Sequence, residues 1–367
     1  MFRGLNDLTI IIPTVSRPLF VLRQFEYWGA TDAKVVILDG AASPITIPTE
    51  LKRDNVRYVH SGNRFNERLA TAGQFVSTKF CVLLTDDEFY LPSGLLAAIK
   101  RLEADSSIIG CVGRCLFFFV DQGRFLLSNA YREWRPFPTD KTSMMDRLDA
   151  DLPPNKTHKA QFAVIRSQAW IEMFERSYST FFSSGYTYER LLNLTRTVLG
   201  RTEMLEEVMW MRSMENPPIS SANVPRRGTG EFVVWATSAE FATEIAQYRE
   251  IAKGILRSGG LGESECRELE ERFFVGGVLR QSNKQAKNAK SLSRRLEKFV
   301  LANSPRQLRL WAKRHLPNRV LKFTGWQGHE IDKMCAILED LGTRFDYREL
   351  ERVSELSLEL DKRRRNV

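Results

Sequence analysis

The sequence is poor in the motifs that most readily announce small-molecule chemistry. It contains no GxGxxG and no GxxxxGK(S/T), so neither a dinucleotide-binding turn nor a P-loop phosphate cradle is indicated. There is no HExxH and no zinc-type CxxC pair, and the four His stand apart, which leaves no metalloprotease helix, no zinc ribbon and no Ser-His-Asp triad to assemble. His60 reads as a strand-end residue and His158 as part of a polar loop. Apolar runs are short: none approaches the ~18 uncharged residues of a membrane-spanning helix, and each ends in charge or Pro. The first residues, MFRGLNDLTIIIPT, turn directly into a strand-like run without a small-residue cleavage site, so no secretory signal is expected. The five cysteines are odd in number and mostly embedded in apolar runs, which suits reduced core thiols in a cytosolic protein.

What is present is ordinary in bulk. Hydrophobic residues make up 43% of the 367 and charged residues 27%, which suits a globular chain of about two domains and not a disordered or low-complexity one. The charge is uneven. Residues 280–323 hold thirteen Lys/Arg against the single acid Glu297, a net of +12, so the remainder of this +9 chain sums to −3. The basic character is thus a local patch.

Over the first 130 residues, continuous apolar runs alternate with amphipathic stretches. Leu8–Pro13, Lys34–Asp39, Val56–His60 and Phe80–Thr85 read as buried strands; Leu19–Trp28, Phe65–Val76 and Ser93–Ala104 read as helices. That alternation predicts an α/β layer with a mostly parallel sheet flanked by helices. Ile108–Val120 and Arg124–Leu127 form a predicted hairpin about Asp121-Gln122-Gly123, residues 128–160 an excursion, and Ser167–Arg176 and Thr187–Leu199 two further helices. Met204–Arg212 suits a strand or a helix. Residues 215–231, with three Pro and two Gly, mark a loop. From Trp235 onward the pattern is wholly helical, which divides the chain into 1–234 and a helical, basic region 235–367.

In an open parallel sheet, ligands bind beyond the carboxyl ends of the strands. The residues there are Pro13, Thr14 and Arg17 after the first strand, Asp39 and Gly40 after the second, and Asp86, Asp87 and Glu88 after the fourth. Three adjacent acids at the end of a buried strand are costly unless solvated, capping a helix or holding a cation. A hard divalent ion accepts one or two such carboxylates and completes its shell with substrate phosphates.

The succession LTIIIPTVSRP, KVVILDGA, NVRYVHS, FNERLATAGQFV and CVLLTDDEFYLP resembles the opening of a family-two-like glycosyltransferase with a GT-A fold, over roughly residues 5–235. The resemblance implies a nucleotide-sugar donor bound by Pro13, Thr14, Arg17 and Asp86, with Asp39 accepting a hydrogen bond from the nucleobase. It implies a divalent cofactor, Mn²⁺ or Mg²⁺, at the family's DXD position. Aligning on Pro92 puts Thr85 where the first acid stands, with Asp87 and Glu88 at the second and third; an alternative register pairs Asp86 with Glu88, and Asp87 is the first choice of ligand. The family's catalytic base corresponds to Glu189 in GYTYERLLNL, a position that also suits an ordinary helix N-terminal acid. Arg226 and Arg227 either reach the donor diphosphate or belong to a solvated loop.

The implied activity is inverting, metal-dependent transfer of a sugar to a hydroxyl of a glycan or lipid-linked acceptor. Two other functions compete: a glycan-binding scaffold on a degenerate domain, suggested by the imperfect acidic motif, and nucleic-acid binding, which the scarcity of aromatics in the basic segment disfavours. In 304–316, Leu308, Trp311, Ala312 and Leu316 share one helical side and basic residues lie mostly opposite. That arrangement suits docking on an anionic membrane surface, at the cytoplasmic face, or packing on the catalytic domain or a second subunit. Leu350, Val353, Leu356 and Leu360 form a stripe suited to a partner helix, and hence to a homo-oligomer.

Overall fold

A computed structural model describes residues 3–129, 140–151, 162–214, 231–289 and 328–365. The first half is the expected alternation: β1 (Leu8–Thr14), α1 (Pro18–Trp28), β2 (Lys34–Asp39), β3 (Val56–His60), α2 (Phe65–Ala70), β4 (Phe80–Leu83), β5 (Phe89–Tyr90) and α3 (Pro92–Ala104). Next come β6 (Ile108–Asp121), β7 (Arg124–Asn129), α4 (Met144–Asp151), β8 (Val164–Arg166), α5 (Ser167–Tyr178), α6 (Gly185–Leu199) and β9 (Arg201–Ser213). The helices α7 (Glu231–Thr237), α8 (Ala242–Ser258), α9 (Glu263–Ala289), α10 (Ile331–Asp340) and α11 (Tyr347–Arg365) complete the described chain.

One nine-stranded sheet runs β3-β2-β1-β4-β8-β6-β9-β5, with β7 on β6. The α/β class is as expected. Strands β3, β2, β1 and β4 are parallel to their neighbours, whereas β8 enters antiparallel to both β4 and β6, and β6 and β9 are again parallel. Every residue of β1 is buried, because helices cover both faces of a parallel centre. The chain builds outward from β1 through β2 to β3 and then returns to β4 on the other side of β1. This makes the carboxyl end of β1 a topological switch point, where the connections diverge and leave a crevice.

Several local outcomes differ from the sequence pattern. The stretch Phe65–Val76 is a helix only to Ala70 and then a 3-10 turn over Ala72–Phe75. There Gly73 lies so close to Ile171 that a Cβ would stand 2.9 Å from its methyl carbon. The ambiguous Met204–Arg212 is strand, since its Val208–Met211 core is buried beside β6. Strands β6 and β7 turn through Gln122 and Gly123, both at positive φ, the two-residue hairpin that suits strand twist. The excursion 128–160 holds α4, which the polar composition concealed. All five cysteines are buried and unbridged.

The C-terminal helices pack on the sheet domain. Helices α8 and α9 lie against each other, with α8 on α5 and α6 and α9 on α7. His329 exchanges backbone hydrogen bonds with Leu127 of β7, and α10 and α11 then cover β7, with α11 also against α1 and β6. The apolar stripe of α11, with Leu350, Val353, Leu356 and Leu360 at most 4% exposed, therefore meets the chain's own sheet instead of a partner helix. The basic segment 304–316 lies outside the described residues. Among the described residues no helix is long and apolar enough to cross a membrane.

Glu349 of α11 caps α3: its Oε1 accepts from Ser93 N at 2.8 Å and its Oε2 from Ser93 Oγ at 2.6 Å, satisfying donors that the helix start leaves open. Burial pushes the Glu349 carboxyl up from 4.5 to about 7, against the pull of the Ser93 bonds. A proton is thus bound more tightly in the folded than in the unfolded chain. The contribution of this group to stability is greatest below pH ~4.5 and falls as pH rises through about 7, by on the order of 3 kcal/mol. Glu349→Gln should flatten the Tm against pH curve between pH 5 and 8; a curve as steep as that of the parent would refute the assignment.

Candidate active site

Backbone register gathers the site. Thr14 and Asp39 are paired across β1 and β2, Asp39 and His60 across β2 and β3, and β4 lies on the other side of β1. The turn after β1 passes through Ser16 at φ 54, and this left-handed residue directs the chain so that Arg17 turns back over the acidic loop. Arg17 Nη1 lies 2.9 Å from Asp86 Oδ1 and 3.3 Å from Asp87 Oδ2. Thr14 Oγ1 donates to the other Asp86 oxygen at 2.6 Å. The loop itself is held from α1, because Gln24 Nε2 donates to the carbonyls of Asp86 and Glu88 at 2.8 and 2.9 Å while Trp28 Nε1 donates to Gln24 Oε1.

The three acids therefore have different environments. Asp86 is fully buried with both oxygens engaged, and burial, helped by the adjacent Asp87 charge, pushes its carboxyl up to about 6 against Arg17 and Thr14. Glu88 turns the other way: its Oε2 accepts from the Trp210 indole at 2.7 Å and its Oε1 lies 3.5 Å from Arg212 Nε. Burial holds that carboxyl above the usual range, with Arg212 opposing. Asp87, 8% exposed, meets Arg17 through Oδ2, and among the described residues no hydrogen bond engages its other oxygen.

Among the described residues, no three His, Cys, Asp or Glu side chains form a metal-binding group. The donor chemistry here fits a divalent ion held by the single carboxylate of Asp87 with phosphate oxygens completing the shell, an arrangement Mg²⁺-type ions commonly accept. Glu88 is engaged instead by Trp210 and Arg212.

Asp39 is fully buried; its Oδ1 accepts from Ala41 N at 2.9 Å and its Oδ2 from Tyr58 Oη at 2.6 Å. Beside it stands a residue the sequence reading missed. Arg68 of α2, 3% exposed, donates through Nη1 to the carbonyls of Thr14, at 3.0 Å, and Leu38. Gly40 makes room for it, since a Cβ there would lie 2.6 Å from the guanidinium carbon. Burial lowers the Arg68 pKa, and the negative charges of Asp39 and Asp86 oppose this. Its Nε has no partner among the described residues. The one sequence signal was the glycine after Asp39, which marks a close backbone approach.

Pro13 is buried in β1, opposite Leu38 of β2. Glu189 is half-buried and is the fifth residue of α6, so it lies beyond the first turn, two residues deeper than the sequence pattern suggested. Its charge contributes to raising the Tyr178 hydroxyl pKa, behind burial and Tyr188. The Tyr178 ring meets Phe65 at the head of α2, and Arg64 lies 5.1 Å above the Phe181 ring, which brings the start of α6 beside the loop that follows β3. The structure thus gathers Thr14, Arg17, Asp39, Asp86, Asp87 and Glu88, and sets Glu189 on a neighbouring element. Arg226 and Arg227 lie outside the described residues. A cavity of about 660 Å³ opens elsewhere, between α3, β9 and Arg344-Phe345, and shares no residue with this cluster.

No protein-family model matches the sequence, nor does any curated protein. Among solved structures, the chain is similar to S. aureus TarS at 12% identity and a TM-score of 0.37, over 68% of this chain and 43% of that one. It thus spans less than half of that protein. It is also similar to S. aureus TarS 1-349, at 10% identity and a TM-score of 0.44 over 98% and 91% of the two chains. That fragment was also solved with UDP-GlcNAc, where the match has 11% identity and a TM-score of 0.40 over 77% and 92%. A third likeness is to the mannosyltransferase PcManGT from Pyrobaculum calidifontis in complex with GDP-Man and Mn²⁺, at 14% identity and a TM-score of 0.39 over 84% and 83%. The chemistry assigned to the crevice rests on its own residues and not on these distant likenesses.

Trp210→Phe leaves one oxygen of a buried carboxylate without its donor, and the expected loss of stability is about 1–3 kcal/mol. In a Glu88→Gln background the same substitution should cost less. Equal losses in the two backgrounds, measured by denaturant unfolding, would show that the bond is not the cause.

Proposed function

We propose that the chain is an inverting, GT-A-type glycosyltransferase that moves a sugar from a nucleotide donor to a hydroxyl of a glycan or lipid-linked acceptor. The observation that carries this reading is the convergence at the switch point. The residues that the N-terminal motifs assign to the donor come from three separate stretches of sequence, and they meet at the carboxyl ends of β1, β2 and β4 together with the buried guanidinium of Arg68. A crevice with two arginines and the Asp87 carboxylate suits a nucleoside diphosphate.

In this mechanism Asp39 accepts an N–H from the nucleobase, Pro13 and Thr14 line the nucleoside, and Arg17 and Arg68 face the anionic part of the donor. Arg226 and Arg227 have the same task by resemblance. Asp87 would hold the divalent ion, Mn²⁺ or Mg²⁺, which would supply positive charge toward the departing diphosphate. Glu189 accepts the proton of the attacking hydroxyl, and inversion follows from the family resemblance. Negative charge on the leaving group and acidity of the attacking hydroxyl both develop in the transition state, so these residues act on kcat. The basic C-terminal segment would dock the protein on the anionic membrane face that carries a lipid-linked acceptor.

The test is a panel of nucleotide sugars, including UDP-GlcNAc and GDP-Man, with and without Mn²⁺, followed by product mass. Asp87→Asn should abolish most transfer while leaving the fold intact, and EDTA should do the same to the parent; transfer at the parental rate in both arms excludes the metal role. Glu189→Gln should lower kcat by roughly two to four orders of magnitude with donor binding kept, the usual scale for a lost general base. Unchanged turnover in that variant removes Glu189 from the mechanism.

A further inference from the structure

Strand β3 lies at the edge of the sheet, and its alternate residues Tyr58 and His60 reach from one face toward the segment that follows β2. In the β2/β3 ladder Tyr58 is opposite Ile37 and His60 opposite Asp39, so Tyr58 is the diagonal neighbour of Asp39. Its hydroxyl donates to Asp39 Oδ2 at 2.6 Å and accepts from Ile45 N at 2.8 Å. His60 Nε2 lies 2.8 Å from Ala41 O, and because a carbonyl can only accept, that nitrogen carries the hydrogen. With Ala41 N on Asp39 Oδ1, the segment 41–45 is tied at three backbone atoms, and each Asp39 oxygen has one fixed donor.

We propose that Tyr58 is a positioning residue for the donor nucleobase: through one hydroxyl it fixes the direction in which Asp39 presents its remaining lone pairs and pins Ala41–Ile45 as the wall of the base pocket. This deepens the glycosyltransferase reading and rests on it, since Asp39 has the base-reading role only there. The chemistry requires a group that donates and accepts at once. A hydroxyl does both, and its donor function is secure because burial, with Asp39 beside it, pushes the Tyr58 pKa up to about 12. Without it Asp39 keeps one tether, to Ala41, and the ordering of carboxylate and loop has to occur when the donor binds, which weakens binding.

The experiment is calorimetric titration of UDP, GDP, ADP and CDP into the parent, Tyr58→Phe, Asp39→Asn and the double variant. The parent should prefer one of the four. Tyr58→Phe should lose roughly tenfold in affinity for that nucleotide, on the scale of one removed buried hydrogen bond, and the ratio between the best and the worst nucleotide should shrink. The double variant should be no weaker than Asp39→Asn, because Tyr58 acts through Asp39. A general structural defect would instead lower all four affinities alike and leave the ratio unchanged. Parental affinity in Tyr58→Phe, an unchanged ratio, or additive losses in the double variant overturn the inference while leaving the glycosyltransferase reading intact. Failure of the parent to bind any of the four overturns both.

Discussion

The guanidinium of Arg68 is a full positive charge taken out of water at the meeting point of β1 and β2, and the rest of the crevice is organised to tolerate it. Two backbone carbonyls accept from it, Gly40 withdraws to admit it, and the negative charges of Asp39 and Asp86 oppose the effect of burial. An isolated buried cation would cost several kcal/mol. Asp86 shows the opposing effects on an acid: burial and the adjacent Asp87 charge push its carboxyl up to about 6, against Arg17 and Thr14. The site is therefore a set of charges each of which is permitted by the others.

Rigidity in this cluster comes from neutral groups. Gln24 and Trp28 on α1 fix the carbonyls of the acidic loop, and Tyr27 Oη on the same helix donates to Tyr90 O at 2.7 Å. Helix α11 in turn holds both supports, through Glu349 on Ser93 at the start of α3 and Arg352 on Glu26 of α1 at 3.0 Å. A path of direct contacts thus joins the last helix of the chain to the acidic loop. The C-terminal helices serve the sheet domain as a brace, which explains why the α11 stripe is closed over by its own chain.

The fold was largely readable because its signals are local. KVVILD, FCVLL and LTIIIP are continuous apolar runs too short for helices, and only a strand covered on both faces needs such a run. The same reasoning marked Pro13, Thr14, Asp39 and the 86–88 acids, because in this architecture function collects at strand ends. It failed where the signal is not local. Strand β8 has three residues and is specified by the edges of β4 and β6 that it joins. Strand β9 alternates too irregularly for periodicity to classify it, and its partner β6 decides the matter.

Composition, period and spacing determined the α/β class, the order of the parallel strands' segments and which loops carry the clustered acids, since these depend on each residue and its near neighbours in sequence. Which way a side chain turns depends on atoms far along the chain, and that only the tertiary structure decided. Asp86, Asp87 and Glu88 look equivalent in sequence; Thr14 and Arg17 draw the first inward, Trp210, more than a hundred residues away, claims the third, and Asp87 meets Arg17 through one oxygen. Arg68 is one basic residue among many on a helical face, and it becomes part of the site because α2 crosses the ends of β1 and β2 where Gly40 leaves it space. Burial and hydrogen bonding act through space, so the sequence located these side chains by element, and packing assigned their partners atom by atom.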